Sequence, residues 1–347
     1  MKLGSGVLSA GTKRLDMATI RRLAKEIGQA RDEGTEVIVV SSGAILAGGE
    51  VLGLKSRPKT TQLKQAAAAV GQSRLMRAWE AALKRQGLKV AQILLTREDL
   101  RDRARYLNAR NTIFELLRLG VVPIINENDT VSVDEIKFGD NDVLSALVAG
   151  LCEADQLFLL TDQDGVFSAD PRSDPAARLL SEYEPSAKVG EAGPSGTGGM
   201  ASKVKAGLMA ADSGVTAVVA NGTKAGVLSG KGTRFQPKLK PAARRRWLAQ
   251  ATQPKGQIVV DDGARQALVG GNKSLLATGV KGIQKRFEAG DVVGIVAGGR
   301  EFARGLTNYG SDDLEKIRGR KTAEIEGLLG HKPADEVVHR DNMALLE

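Results

Sequence analysis

Short apolar runs of four or five residues recur through the first two-thirds of the chain. They are β-branched or leucine-rich with few polar positions, which is the composition of strands buried on both faces. The runs span residues 37–40, 91–95, 121–125, 157–160 and 217–220. We predict a strand at each of them.

Longer stretches with helical periodicity lie between these runs. They span residues 17–30, 61–84, 108–119, 142–151 and 200–211. Strand and helix alternating in this way predict an α/β fold with a mainly parallel sheet covered by helices on both faces. Ligands bind beyond the carboxyl ends of the strands in such folds. Functional residues are therefore expected where the strands end.

The pattern changes after about residue 234, where proline and arginine interrupt it. Beyond this stretch, short strand candidates at 258–260, 292–296 and 302–306 are separated by glycine-rich turns, which favours a small β-rich domain. The predicted divisions are a first domain over 1–240, a basic linker over 241–254, the β-rich domain over 255–333 and a tail over 334–347.

The composition is that of a soluble globular protein, with 42% hydrophobic and 26% charged residues. The sequence shows neither an apolar run long enough to cross a membrane nor a signal peptide, and its single cysteine excludes an intrachain disulfide. We therefore expect a cytoplasmic protein without membrane association. Both histidines, His331 and His339, lie near the C-terminus, which disfavours a zinc site or a histidine general base.

The positive charge is concentrated in one segment. Residues 213–260 contain nine Lys or Arg and no Asp or Glu, whereas the net charge of the whole chain is +9. Such a segment attracts nucleic acid or phosphate groups. A solvated linker or an oligomer contact is the interpretation that we favour for an isolated basic stretch.

A glycine-rich segment precedes the predicted helix 200–211: Gly196-Thr197-Gly198-Gly199-Met200-Ala201-Ser202-Lys203. Glycines before a helix let backbone N–H groups approach a phosphate, and Lys203 in the first turn could neutralise its charge. The spacing is that of neither a Walker A loop nor a dinucleotide-binding fingerprint. The alternative is a flexible loop that caps the helix.

Polar residues also cluster where predicted strands end. Asn126-Glu127-Asn128-Asp129 follows 121–125, and Gly139-Asp140-Asn141-Asp142 opens the next helix. These carboxylates and amides suit recognition of an ammonium group and orientation of lysines. The alternative is that Asp140 or Asn141 only caps its helix. Thr161-Asp162 and Ser41-Ser42-Gly43 end two further strands.

Taken together, these segments resemble the amino acid kinase family, and within it the members that phosphorylate glutamate. The segments that match, in the order of that family, are Lys2-Leu3-Gly4-Ser5, Val39-Val40-Ser41-Ser42-Gly43-Ala44-Ile45, Leu107-Asn108-Ala109-Arg110, Ile125-Asn126-Glu127-Asn128-Asp129, Phe138-Gly139-Asp140-Asn141-Asp142, Leu159-Leu160-Thr161-Asp162 and Gly196-Thr197-Gly198-Gly199-Met200. The region after about Lys255 is similar to a PUA domain. The resemblance implies the three-layer sandwich of that family with a β-rich PUA domain appended.

The resemblance also implies a reaction, in which ATP with Mg²⁺ phosphorylates the side-chain carboxylate of L-glutamate in the first step of proline biosynthesis. It places the catalytic lysines at Lys2 and Lys203, held by Asp142. It assigns the acceptor to Ser42, Asp129 and Asn141, and ATP to the following set: Lys2, Thr161, Asp162, Thr197, Gly198, Gly199, Met200, Ala201, Ser202 and Lys203. No protein ligand is assigned to Mg²⁺, which binds largely through phosphates.

Partners follow from the same resemblance: L-glutamate, proline as feedback inhibitor, a homo-oligomer, γ-glutamyl phosphate reductase, and RNA through the PUA domain. Two alternatives remain open. One is a relative acting on acetylglutamate or uridylate, and the other is an RNA-binding PUA protein whose kinase fold is vestigial.

The start of the chain departs from the family, whose members carry several residues of the first strand before the segment matching Lys2. Here Lys2 is the second residue. Residues near a chain end fray unless they pair into a sheet. We therefore expect the native polypeptide to begin upstream, with apolar residues that complete the first strand.

Overall fold

The structure is a computed structural model that describes residues 1–132, 140–171, 173–183, 199–237, 254–271 and 273–346. The chain divides into two compact units. The first comprises Met1–Arg101 and Thr112–Lys238, and the second comprises Asp102–Asn111 and Leu239–Glu347. The predicted linker 241–254 lies outside the described residues except for Pro254, so the predicted domain limits stay predictions.

The first unit alternates strands and helices. Its strands are β1 (Lys2–Leu3), β2 (Val39–Ser41), β3 (Lys89–Leu95), β4 (Val121–Glu127), β5 (Gln156–Thr161), β6 (Thr216–Asn221) and β7 (Thr233–Phe235). The helices, of which the sixth spans parts of both units, are α1 (Ser5–Ser9), α2 (Met17–Asp32), α3 (Ala44–Val51), α4 (Thr61–Lys84), α5 (Arg97–Arg101), α6 (Arg103–Arg118), α7 (Asp140–Leu151) and α8 (Gly199–Asp212).

These strands form one sheet in the order β3-β4-β2-β1-β5-β6-β7. Every neighbouring pair is parallel except β6 and β7, which are antiparallel. The predicted mainly parallel sheet is confirmed. Because the parallel strands share a direction, their carboxyl ends meet at one edge, and the polar clusters of the sequence lie there.

Alternation along β5 shows why both faces of the sheet are covered. Phe158 and Leu160 belong to one buried cluster, which also contains residues of α2 and α4. Leu157 and Leu159 belong to another, together with residues of α7 and α8. Successive strand residues point to opposite faces, so the sheet lies between two helical layers, as the three-layer sandwich requires.

The strand β1 lies in the middle of the sheet although it has only two residues. Lys2 pairs with Val40 on one side and with Leu159 on the other. Lys2 and Leu3 are both buried. The ladder is thus formed on both sides of Lys2, which holds the backbone that carries this side chain.

Helices α3 and α4 approach each other backbone to backbone. A Cβ atom added to Gly48 would lie 1.7 Å from the carbonyl oxygen of Ala67, and one added to Gly71 would lie 1.9 Å from that of Ala44. Gly43, with φ of 116°, makes the turn from β2 into α3. This contact fixes the position of the loop that carries Ser42.

The second unit has a separate core and a five-stranded sheet. Its strands are β8 (Gly256–Val260), β9 (Val280–Gln284), β10 (Val292–Ala297), β11 (Arg300–Leu306) and β12 (Met343–Leu345), in the order β12-β11-β10-β8-β9. Its helices α9 (Asp262–Gly270), α10 (Ser311–Ile317) and α11 (Ile325–Leu329) are short. The predicted small β-rich region is confirmed, although these helices were not predicted. Within the described ranges of the chain, no helix has the length and apolar character needed to cross a membrane.

Candidate active site

A cavity of about 900 Å³ opens at the carboxyl edge of the parallel sheet, within the first unit. It brings together residues that lie far apart in the sequence. Of the predicted site residues, the following line it: Lys2, Ser42, Asp129, Asn141, Asp142, Thr161, Asp162, Gly199, Met200, Ser202 and Lys203. The cavity is therefore the candidate functional site.

Two members of the predicted ATP set, Thr197 and Gly198, lie outside the described residues. A third, Ala201, does not line the cavity. Ala201 is exposed on the outer side of α8, where it lines a separate, smaller depression with Lys205 and Met209. The described part of the glycine-rich segment reaches the cavity through Gly199, Met200, Ser202 and Lys203.

A single carboxylate holds two ammonium groups at one end of the cavity. Lys2 Nζ lies 2.6 Å from Asp142 Oδ1, and Lys203 Nζ lies 3.3 Å from Asp142 Oδ2. Ser202 Oγ donates a hydrogen bond to the same Oδ2 at 2.5 Å. We call these four side chains the charged end of the cavity. Two cations against one anion leave it with a net positive charge.

Burial and charge act against each other at this end. Desolvation by burial lowers the pKa of Lys2 to about 8, although the carboxylate of Asp142 partly opposes that shift. For Asp142, burial raises the pKa, but the charges of Lys2 and Lys203 outweigh it and hold the pKa below its ordinary value. Asp142 is therefore ionised at neutral pH.

Helix α8 delivers Lys203 to this position through its buried face. Met200, Lys203 and Val204 are all buried, and they lie within one or two turns of one another. The backbone carbonyl of Gly199 also accepts a hydrogen bond from Lys203 Nζ at 3.3 Å. The lysine therefore points along the start of its own helix, where the helix dipole favours an anion.

The other end of the cavity carries neutral amides. Asn141 Nδ2 donates to Ser42 Oγ at 3.0 Å and to Asn126 Oδ1 at 2.9 Å. Asn141 and Asp142 are adjacent in the first turn of α7, and adjacent helical residues point about 100° apart. The start of α7 thus serves both ends: Asp142 faces the lysines, and Asn141 faces Ser42.

The amide end continues to a residue that the sequence did not single out. Asn126 Nδ2 donates to Gln72 Oε1 at 2.9 Å, and Gln72 Nε2 donates to Gln92 Oε1 at 3.2 Å. Gln72 lies in α4, directly after the small apolar run 66–71. A glutamine at that place in a helix was the only signal, and it indicates no particular partner.

The ends of β5 and β6 are tied together beside the charged end. Thr161 Oγ1 donates to Asp162 Oδ1 at 3.1 Å. Asn221 Nδ2 donates to Asp164 Oδ1 at 2.8 Å, and Lys224 Nζ lies 2.6 Å from the same oxygen. The hydrogen bond from Lys224 holds the pKa of Asp164 below its ordinary value. Thr161 and Asp162 are thus presented on an ordered pair of strand ends.

Basic side chains that the sequence did not indicate also line the cavity: Lys13, Arg14, Lys55 and Arg57. Lys13 Nζ donates to the carbonyl oxygen of Lys55 at 3.3 Å, which joins the two loops that carry them. Glu50, which lies in the same part of the lining, is 2.9 Å from Arg74 Nη2. These four basic side chains favour anionic ligands near them.

Comparison with protein families gives two matches. The model of the amino acid kinase family matches residues 1–221, and the model of the PUA domain matches residues 256–329. The first match covers most of the unit that contains the cavity, and the second covers most of the β-rich region.

Two curated relatives that match the whole chain are glutamate 5-kinases. A glutamate 5-kinase of Citrifermentans bemidjiense is 49% identical over 100% of this chain and 96% of its own length. One of Paraburkholderia phymatum is also 49% identical, over 100% of this chain and 97% of its own length. Among solved structures, an aspartate kinase from Synechocystis aligns with a TM-score of 0.48 at 18% identity, over 69% of this chain and 39% of that one.

The family match covers most of the unit that contains the cavity, and these two relatives align with the whole of this chain. The chain therefore belongs to the amino acid kinase family and, within it, groups with the glutamate 5-kinases.

Proposed function

We propose that this chain transfers the γ-phosphoryl group of ATP to the side-chain carboxylate of L-glutamate, giving γ-glutamyl phosphate for proline biosynthesis. The observation that carries the proposal is the arrangement of Lys2 and Lys203 on the carboxylate of Asp142, beside a neutral amide end in the same cavity. The 49% identity to curated glutamate 5-kinases supports L-glutamate as the acceptor.

The chemistry suits a site without a histidine. A carboxylate is already ionised at pH 7, so the acceptor needs no general base. The barrier is instead electrostatic, because an anion must attack an anionic phosphoryl group. Lys2 and Lys203 neutralise the charge that spreads over the phosphoryl oxygens in the transition state. Asp142 holds both lysines, and since both of its oxygens are engaged it acts as an orienting group rather than a base.

ATP lies at the charged end in this proposal. The start of α8 contributes backbone N–H groups and a favourable dipole for the phosphates, and Thr161 and Asp162 bind the nucleotide from the end of β5. Within the part of the chain that the structure describes, no three His, Cys, Asp or Glu side chains come together as a metal site. Mg²⁺ would be carried mainly by the phosphates in this proposal, where it would offset their negative charge.

The amino acid lies at the amide end. Ser42 provides a hydrogen-bond donor for a carboxylate, Asn141 holds the Ser42 oxygen in place, and Asp129 provides a negative charge for the α-ammonium group. An acetylated amine has no charge to pair with Asp129. The site should therefore discriminate against N-acetylglutamate, and this distinguishes the proposal from an acetylglutamate kinase.

The same assignment carries further proposals. They are feedback inhibition by proline, a homo-oligomeric assembly, delivery of the acyl phosphate to γ-glutamyl phosphate reductase, and location in the cytoplasm. RNA binding is the second candidate function, and the PUA match at residues 256–329 favours it.

The test is to trap the acyl phosphate as its hydroxamate with ATP, Mg²⁺ and each candidate acid. We expect hydroxamate from L-glutamate well above that from L-aspartate or N-acetylglutamate, and none without ATP. Equal or faster turnover of N-acetylglutamate would overturn the proposal.

A further inference from the structure

Five side chains form a continuous line of hydrogen bonds from the surface of the first unit to the cavity. We call them the amide chain: Gln92 of β3, Gln72 of α4, Asn126 of β4, Asn141 of α7 and Ser42 after β2. Its successive donor–acceptor distances are 3.2, 2.9, 2.9 and 3.0 Å. Asn126, Asn141 and Ser42 line the cavity, whereas Gln72 does not.

A backbone group fixes the direction of this chain. The N–H of Glu127 can only donate, and it donates to Asn126 Oδ1 at 2.9 Å and to Asn141 Oδ1 at 3.2 Å. The amide oxygens of both asparagines must therefore face that N–H. Their NH₂ groups face the other way, where each needs an acceptor.

The two NH₂ groups meet different partners. Asn141 Nδ2 finds Ser42 Oγ, which accepts at 3.0 Å. The hydroxyl hydrogen of Ser42 is not used in that bond, so it is available to a ligand in the cavity. Asn126 Nδ2 donates to Gln72 Oε1 at 2.9 Å. The NH₂ group of Gln72 in turn donates to Gln92 Oε1.

Asn126 is 2% exposed, so an unpaired NH₂ group there would be costly. Without the oxygen of Gln72, this NH₂ group would lose its acceptor, and Asn126 would be less firmly held. A full rotation of the amide would set the NH₂ group against two donors, the Glu127 N–H and Asn141 Nδ2. A displaced or rotated Asn126 would be a poorer acceptor for Asn141, and the hydrogen bond from Asn141 to Ser42 would lose its fixed direction.

We propose that Gln72 is a positioning residue for the acceptor site. Its oxygen holds Asn126 in the orientation that the Glu127 N–H selects, and through Asn141 it keeps the Ser42 hydroxyl available as a donor to a carboxylate of the acceptor amino acid. The inference rests on the proposed function for the identity of that amino acid. It adds a specificity residue that does not line the cavity itself but contacts Asn126, which does.

A matched pair of variants tests the role of the oxygen. Gln72→Met keeps the approximate shape but removes the acceptor, and we expect the KM for L-glutamate to rise about tenfold. Gln72→Glu keeps an oxygen for Asn126 Nδ2, and Gln92 at the exposed end can rotate to donate to it. We expect its KM for L-glutamate to stay within about threefold of the parent value. For both variants, kcat and the KM for ATP should stay within about twofold, since neither substitution touches the charged end.

The melting temperature of each variant separates positioning from folding. Gln72→Ala, in a helix already rich in alanine, provides a third protein if Gln72→Met is insoluble, and its KM for L-glutamate should also rise. An unchanged KM for L-glutamate in the Met or Ala variant would overturn the inference, as would an equal rise in the Glu variant. Either result would leave hydroxamate formation by the parent enzyme intact, so the proposed function would stand or fall separately.

Discussion

The two ends of the cavity differ in the chemistry of the side chains that form them. The charged end packs Lys2, Asp142 and Lys203 into a nearly buried cluster with a net positive charge. The amide end uses Ser42, Asn126 and Asn141, none of which carries a charge. Charge acts over distance and hardly depends on direction, whereas an amide discriminates by the direction of its donors and acceptors.

The difference matches what each end must do in the proposed reaction. The transition state spreads negative charge over several phosphoryl oxygens, and cations stabilise it from any side. An amino acid must be distinguished from close analogues, which needs donors of fixed direction together with the single charge that the proposal assigns to Asp129. Loss of a group from the charged end should therefore affect kcat, whereas loss from the amide end should affect the KM for L-glutamate.

The largest effect is expected from Lys203→Ala. We expect kcat to fall by about 100-fold or more, which is the scale for losing one preorganised charge-stabilising donor. Lys205→Ala is the matched control, because Lys205 lies in the same helix but is exposed on its outer side. Steady-state kinetics of the two variants make the comparison. A nearly normal kcat in Lys203→Ala would show that Lys203 of α8 takes no part in phosphoryl transfer.

The next effect is a pH dependence that belongs to the charged end alone. Burial lowers the pKa of Lys2 to about 8, so the free enzyme loses this charge as the pH rises through that value. We expect kcat/KM for ATP to fall by about tenfold per pH unit above the pKa. Lys2→Arg should abolish this limb, because arginine stays protonated. If kcat/KM for ATP still fell at high pH in Lys2→Arg, the fall would have to come from a group other than Lys2.

The free energy of unfolding should change with pH in the opposite direction to kcat/KM, because of the same lysine. Its pKa is about 8 in the folded protein, against an ordinary value of 10.5. The unfolded chain therefore binds more protons between these two values. The contribution of Lys2 to the free energy of unfolding consequently rises with pH across that window.

The smallest effect at the charged end is expected from Ser202. Its hydroxyl donates to Asp142 Oδ2 at 2.5 Å, but two ammonium groups still hold that carboxylate when the hydroxyl is removed. We expect Ser202→Ala to lower kcat by about three- to tenfold, the scale of one hydrogen bond to a charged group. Ser202→Thr retains a hydroxyl and should restore most of the rate. A loss of kcat in Ser202→Ala as large as that of Lys203→Ala would place Ser202 on the phosphoryl group itself.

Elements with a strong local pattern were predicted well. Residues 61–84 form α4 as expected, since Thr60 caps the helix by accepting a hydrogen bond from the Leu63 N–H. The buried strands also formed close to their predicted limits, although β2 begins at Val39 rather than at residue 37. Continuous apolar runs in an alternating chain leave few other ways to bury them.

Elements that depend on distant partners could not be predicted from periodicity. Strand β7 has three residues and pairs antiparallel with β6, which no local signal indicates. The meeting of Lys2, Asp142 and Lys203 came from family resemblance, because three separate elements carry these residues. The direction of the amide chain depends on one backbone N–H at Glu127, and a sequence pattern does not contain that information.

The central position of β1 has a consequence for the order in which the molecule assembles. Of the seven strands in the first sheet, β1 is synthesised first, yet its partners are β2, made soon afterwards, and β5, made much later. Contacts this far apart in sequence are slow to form, because the entropy of closing the intervening loop is lost before the strand pairing contributes any stabilisation. Until β5 has emerged from the ribosome, one side of the strand that carries Lys2 has no partner. The cluster around Asp142 also needs α8, which is made later still. A nascent chain can therefore build the amide end before the charged end, and phosphoryl transfer becomes possible only in the last stage of folding of this unit.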